Sequence, residues 1–148
     1  MRLVIQRVTS ASCTVDGKIT GAIDKGFMIL VGFKQEDKDD VLPLLVKKTL
    51  GLRVFEDEAG KMNKSLNDVN GGILAISQFT LYADCKHGNR PSFTEALSFN
   101  EASRLYDKYC DMLEESGIKV ERGIFGADMK ISLLNDGPVT IILDSDTL

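Results

Sequence analysis

The chain has 148 residues, 18 basic and 22 acidic, giving a formal net charge of −4, with 43% apolar and 27% charged residues. That length and balance predict one globular domain over 1–148 with a core of its own, and the acidic surplus argues against broad, sequence-blind binding along a nucleic-acid backbone. The longest apolar run, GFMILVGF, falls far below the roughly 18–20 residues of a membrane span, and MRLVIQRV alternates like a strand without the apolar core of a signal peptide.

In chain order, RLVIQRVTSASCTVDGKITGAI reads as two or three antiparallel strands, with Asp16-Gly17 as a hairpin turn. GFMILVGF follows as a central strand covered on both faces. A first helix is predicted with Asp39 or Asp40 as its cap, Pro43 tolerated in the first turn, and Leu42, Leu45, Val46, Thr49 and Leu50 at helical spacing. LRVFED then gives a short strand and GGILAISQFTL a longer, buried one. In the second helix Ser98 and Glu101 have capping-box spacing, Gly117 marks the stop, and Ala102, Leu105, Tyr106, Tyr109, Met112 and Leu113 form the apolar face. MKISLLNDGPVTIILDS closes the chain as two strands around Asn135-Asp136-Gly137-Pro138. The sum is a mixed α/β domain, rich in antiparallel sheet, with two main helices packed on one side in β/β/α layers.

The three cysteines, Cys13, Cys85 and Cys110, have no CxxC spacing, and their odd number argues against a disulfide framework. With one histidine, His87, no metal site is expected, and a reducing cytoplasm is the natural setting.

The segment SQFTLYADCKHGNRPSF, residues 77–93, concentrates the polar chemistry. A nucleophile there (Ser77, Thr80 or Cys85) needs a positioned base, His87 is the only imidazole, and no nucleophile elbow frames Ser77. The acidic groups at 37–40 and 56–58 read as a helix start and an exposed turn. Lys86, Asn89 and Arg90 offer contacts to an RNA phosphate or base. Gly137-Pro138 is a turn that permits a cis bond and close approach of a ligand to the backbone. Side-chain chemistry alone therefore names no mechanism.

Taken together, SQFTLYAD, GNRPSF and FGADMKISLLNDGPVT closely resemble the D-aminoacyl-tRNA deacylases, and the likeness extends from MRLVIQRVTSASCTVDG through LRVFEDEAGKMNKSLNDV to GPVTIILDS. Departures are confined to Cys85 and His87, in a linker that varies in the family, and Lys64, where an apolar residue is common. The resemblance implies a homodimer with active sites at its interface, no cofactor, no metal and no membrane. It implies hydrolysis of the ester of D-aminoacyl-tRNA, and to some extent of glycyl-tRNA, as chirality proofreading. Ser77, Gln78, Phe79 and Thr80 match the pocket floor, with the Phe79 and Thr80 amides facing the oxyanion. Phe125 and Met129 match pocket-lining positions, and Ala102 a small residue at the adenosine end. Gly137 and Pro138 match a Gly-cisPro dipeptide that enters the partner's pocket and excludes L-aminoacyl esters, and Arg7 matches its brace. The terminal 2′-hydroxyl of the tRNA assists in place of a protein base. Two alternatives stand beside this: Thr80 as nucleophile, and a non-catalytic dimeric module that binds the tRNA end.

Overall fold

The computed structural model describes residues 1–148. Its spine is β1 (Arg2–Val15), a strand long enough to be paired along both edges. Along one edge run β2 (Lys18–Ile23) and β3 (Gly26–Gly32) in succession, opposite residues 11–15 and 2–8; β8 (Lys130–Asp144) follows the other edge from residue 2 to 14. The hairpin is made by Asp16 (φ 50°) and Gly17 (φ 77°), both left-handed, as a twist-compatible two-residue turn requires. Beyond β3 lie β6 (Gly72–Ser77) and β7 (Val120–Arg122), paired in parallel, and β4 (Phe55–Glu56) with β5 (Met62–Lys64) forms a separate ribbon.

Strand alternation divides the apolar residues between two cores. Phe27, Ile29 and Val31 of β3, with Ile73 and Ala75 of β6, face helices α1 (Leu42–Gly51) and α2 (Phe99–Glu114). Met28 of β3 and Leu74 and Ile76 of β6 face the opposite way, onto Val8, Ala11, Cys13 and Ile23. β1 serves both because its parity changes: Leu3 and Ile5 point to the helices, whereas Ala11 and Cys13 point to the second core. The change falls at the irregular pairing around Val8, with Thr9 and Ser10 exposed, the re-aiming expected of a bulge. A β/β/α layering with both helices on one side follows. No helix is long and apolar enough to cross a membrane.

Four predicted details are corrected. Neither Asp39 nor Asp40 caps α1, which starts after a 3-10 turn at Asp39–Val41 and has no side-chain cap. Asp39 instead binds Arg104 (2.6 Å) and Lys108 (2.5 Å) of α2, and these two cations hold its carboxyl well below the usual range. Ser98 occupies the N-cap position of α2 without a side-chain bond, and the Glu101 carboxylate that would complete a capping box is turned to Arg104 (2.9 Å). GGILAISQFTL does not remain a strand: β6 ends at Ser77 because β3 ends at Gly32 and offers no further ladder after the Gln78 amide reaches the Val31 carbonyl (2.8 Å). Residues 130–144 form one strand, since the Asn135–Pro138 stretch is absorbed as a bulge against β1.

Gly26 marks where β2 passes into β3, with φ +156°, and a Cβ there would lie 2.7 Å from the Gly72 nitrogen and closer still to its carbonyl oxygen. Backbone cannot yield as a side chain does. Gly26→Ala is expected to cost about 4 kcal/mol or more in urea unfolding, whereas Gly17→Ala, with nothing within 4 Å of the added carbon, loses only the ~1–2 kcal/mol of a left-handed L-residue.

Candidate active site

Where β6 gives out, the chain turns through Gln78 (φ −148°, ψ 84°) into a short 3-10 turn, Phe79–Tyr82. The first amides of such a turn have no acceptor within it, and those of Phe79 and Thr80 find none elsewhere in the chain. The turn is held from behind. Gly32 lets it approach, since a Cβ there would meet the Gln78 carbonyl at 2.9 Å and Leu81 Cβ at 3.1 Å. Arg2 donates to the Leu81 carbonyl and to Asp144 (both 2.8 Å) while lying over the Tyr82 ring.

In front of the turn lies a pocket of about 560 Å³. Ser77, Gln78 and Phe79 form one wall, Phe99 and Ala102 of α2 another, and Phe125 and Met129 of the β7–β8 loop a third. Gly123 makes room for the Met129 sulfur, which a Cβ would displace. Ala102 is nearly buried, so its small side chain sets the depth at the α2 end. The lining is predominantly apolar, and its one ionisable side chain, Asp128, is highly exposed and paired with Lys130 at 3.2 Å. Six predicted residues therefore converge: Ser77, Gln78, Phe79, Ala102, Phe125 and Met129.

Thr80 is adjacent but outside the lining; it is exposed, and its hydroxyl is hydrogen-bonded by the Gln78 side-chain amide. Cys85, Lys86, His87, Asn89 and Arg90 lie on an exposed loop closed by the Asp84–Ser92 bridge, and His87 neither enters the pocket nor bonds to any candidate nucleophile. Cys110, by contrast, lies on the buried face of α2, and burial pushes its thiol up to about 12. Among the lining residues to which the sequence assigns no role are two aromatic ones, Phe93 and Phe99. Phe93 stood within GNRPSF without a role, and Phe99 lies one helical turn before Ala102, a spacing that could have flagged it.

Gly137 and Pro138 lie elsewhere, on β8. Gln6 pairs with Thr140 and Val8 with Asn135, so four residues, 136–139, stand opposite Arg7 alone. The Gly137-Pro138 bond is cis, and both residues are exposed. Arg7, buried to 6% exposure, donates to the Asp136 carbonyl (3.0 Å) and the Val54 carbonyl (2.6 Å). Asn135, also unforeseen, closes the bulge by accepting the Val139 amide at 2.8 Å. Gly137 has φ +133°, and a Cβ there would come within 2.8 Å of Val139 Cγ2 and 3.1 Å of the Arg7 guanidinium. The bulge thus projects an anchored tip that does not line the pocket of its own chain.

The family described as D-Tyr-tRNA(Tyr) deacylase matches residues 4–144. The chain is 55% identical over 145 residues to the D-aminoacyl-tRNA deacylases of two Clostridium perfringens strains, covering 98% of this chain and 97% of each relative. Among solved structures, one titled c-Myc DNA Unwinding Element Binding Protein is 42% identical, with TM-score 0.91 over 97% of this chain and 98% of that one. A probable eukaryotic D-amino acid tRNA deacylase, 18% identical, shares the fold with TM-score 0.85 over 96% of this chain and 97% of that one.

Removing the Arg7 guanidinium leaves two carbonyls without their donor, at ~1–3 kcal/mol for each that is buried. Arg7→Ala is expected to lose about 2–4 kcal/mol in urea unfolding, and Arg7→Lys to recover only part, because one ammonium lacks the planar fork that spans both acceptors.

Proposed function

The chain belongs to the D-Tyr-tRNA(Tyr) deacylase family, and on that premise we propose how its pocket carries out the reaction. The protein is a hydrolase that cleaves the ester of D-aminoacyl-tRNA, a proofreading step in translation that yields tRNA and the free D-amino acid. The observation that carries the proposal is the pairing of two free main-chain amides, at Phe79 and Thr80, with a pocket whose one ionisable side chain, Asp128, is exposed and paired with Lys130.

In this reading the ester carbonyl lies against the turn and its oxygen faces the two amides, which stabilise the charge that develops on attack. Gln78 and Ser77 orient the ester. The terminal adenosine occupies the α2 end, where Ala102 leaves room for it between Phe125 and the helix. Water attacks the carbonyl carbon, the carbon–O3′ bond breaks, and the 3′ oxygen takes a proton. The vicinal 2′-hydroxyl relays that proton, which suits a pocket without histidine. Aminoacyl esters are activated, so this modest assistance suffices.

Chirality is tested by exclusion. The Gly137-Pro138 tip belongs to a homodimer in which each protomer's bulge enters the other's pocket, and Arg7 fixes the tip from below. Support comes from the exposed apolar residues Leu134 (57%) and Ile142 (64%) flanking the bulge on β8, which suit a protein partner, and from the tip's absence from its own pocket. Backbone carbonyls of the tip receive the α-ammonium common to every substrate, and the tip occupies the space an L side chain would need. The deacylase unit is residues 1–148, acting in the cytoplasm where its substrate forms.

Two experiments test the chemistry. Thr80→Ala is expected to keep activity within about tenfold, and a substrate with a 2′-deoxy terminal ribose and a 3′-linked amino acid to react about 100-fold slower or worse at similar KM, the scale of proton-transfer catalysis. A covalent aminoacyl adduct on Thr80 would instead identify it as the nucleophile. Selectivity is tested by single-turnover hydrolysis of D-alanyl, glycyl and L-alanyl esters on one tRNA body. Exclusion predicts cleavage of the first, partial cleavage of the second and none of the third; rejection of glycine would show that the pocket reads the D side chain directly.

A further inference from the structure

Of the seven phenylalanines, Phe27, Phe33 and Phe55 are buried and Phe125 half-buried. The three exposed ones, Phe79 (54%), Phe93 (39%) and Phe99 (61%), all rim the same pocket. An apolar ring left open to water needs a reason, and three at one rim share one. Phe79 stands against Phe93 at 5.0 Å on the ester side, while Phe99 stands nearly perpendicular to Phe125, also at 5.0 Å, on the α2 side.

Phe99 differs from an ordinary solvent-facing ring in being held. It packs on Gly126, whose added Cβ would lie 2.5 Å from Phe99 Cε2 and 2.9 Å from Cζ, and Gly126 has φ +81°. Glycine there is thus what allows the ring its seat. More than half of its surface stays open although its orientation is fixed from below.

Its position also matters. Phe99 precedes Ala102 by three residues on α2, so the two share a helix face about one turn apart, with Phe99 at the pocket mouth. In the reading above, which this inference takes as its basis, Ala102 borders the terminal adenosine. The RNA leaving that nucleoside must cross the rim, and the base 5′ to it arrives at the mouth unpaired. Single-stranded bases stack on aromatic rings with little sequence demand, which suits an enzyme meeting many tRNA bodies.

We infer that Phe99, seated on Gly126, is a stacking platform for the penultimate base of the tRNA 3′ end, a nucleotide subsite at the pocket mouth beyond the terminal adenosine. The test compares wild type, Phe99→Ala and Phe99→Tyr on D-alanyl-adenosine, D-alanyl-tRNA, and D-alanyl-tRNA with an abasic penultimate position. Phe99→Ala is expected to lose about tenfold more in kcat/KM on the tRNA than on D-alanyl-adenosine, with the excess mainly in KM. Phe99→Tyr restores the loss. The abasic substrate costs wild type the same factor and costs Phe99→Ala nothing further. Equal losses on adenosine and tRNA substrates, wild-type indifference to the abasic site, or abasic and Phe99→Ala losses that multiply would each overturn the proposal. Failure of wild type to hydrolyse any of the three would strike the deacylase reading itself.

Discussion

Arg7 is the only buried basic side chain, and burying a guanidinium is tolerable only when acceptors are fixed around it. Here they are main-chain carbonyls, Val54 just before the β4–β5 ribbon and Asp136 on β8, so one side chain ties two separated parts of the chain to β1. The consequences spread outward. β8 can keep pairing on both sides of a four-residue bulge because the bulge has a buried anchor, and β1 can change the core it serves at the same level. Both the layered sheets and the projecting Gly137-Pro138 tip rest on this arrangement.

Much of the fold was legible because it is written in local periodicity. The Asp16-Gly17 hairpin, the doubly covered strand at Gly26–Gly32 and the apolar stripe of α2 needed only near neighbours. Asp39 was misread because its choice between capping a helix and pairing with Arg104 and Lys108 depends on residues 65 and 69 positions away. The end of β6 was misread for a related reason: GGILAISQFTL stays apolar past Ser77, and only the end of the neighbouring β3 stops the ladder. The Asn135–Pro138 stretch looked like a turn between strands because its composition is that of a turn; that both flanks pair with β1 is a fact of three dimensions.

The site divides along the same line. Ser77, Gln78, Phe79, Ala102, Phe125 and Met129 were assigned through motif resemblance, and they converge on one pocket. Residue chemistry alone favoured no mechanism because the proposed reactive groups are amides that any sequence possesses, made available by the way a strand ends. Phe93, Phe99 and Asn135 escaped notice because exposed phenylalanine and loop asparagine carry no signature until their surroundings are known.

The proposed role of the turn's amides places an unusual restriction on drug resistance. An inhibitor that spans the Phe79 and Thr80 nitrogens grips atoms that every residue except proline presents, so replacing either side chain leaves its main anchor in place. Escape would have to move the backbone itself, and what holds that backbone lies behind it: the close approach at Gly32 and the Arg2 bond to the Leu81 carbonyl. Changes there disturb the proposed oxyanion site together with the inhibitor site. A cell that evaded such a compound by this route would also weaken its own enzyme.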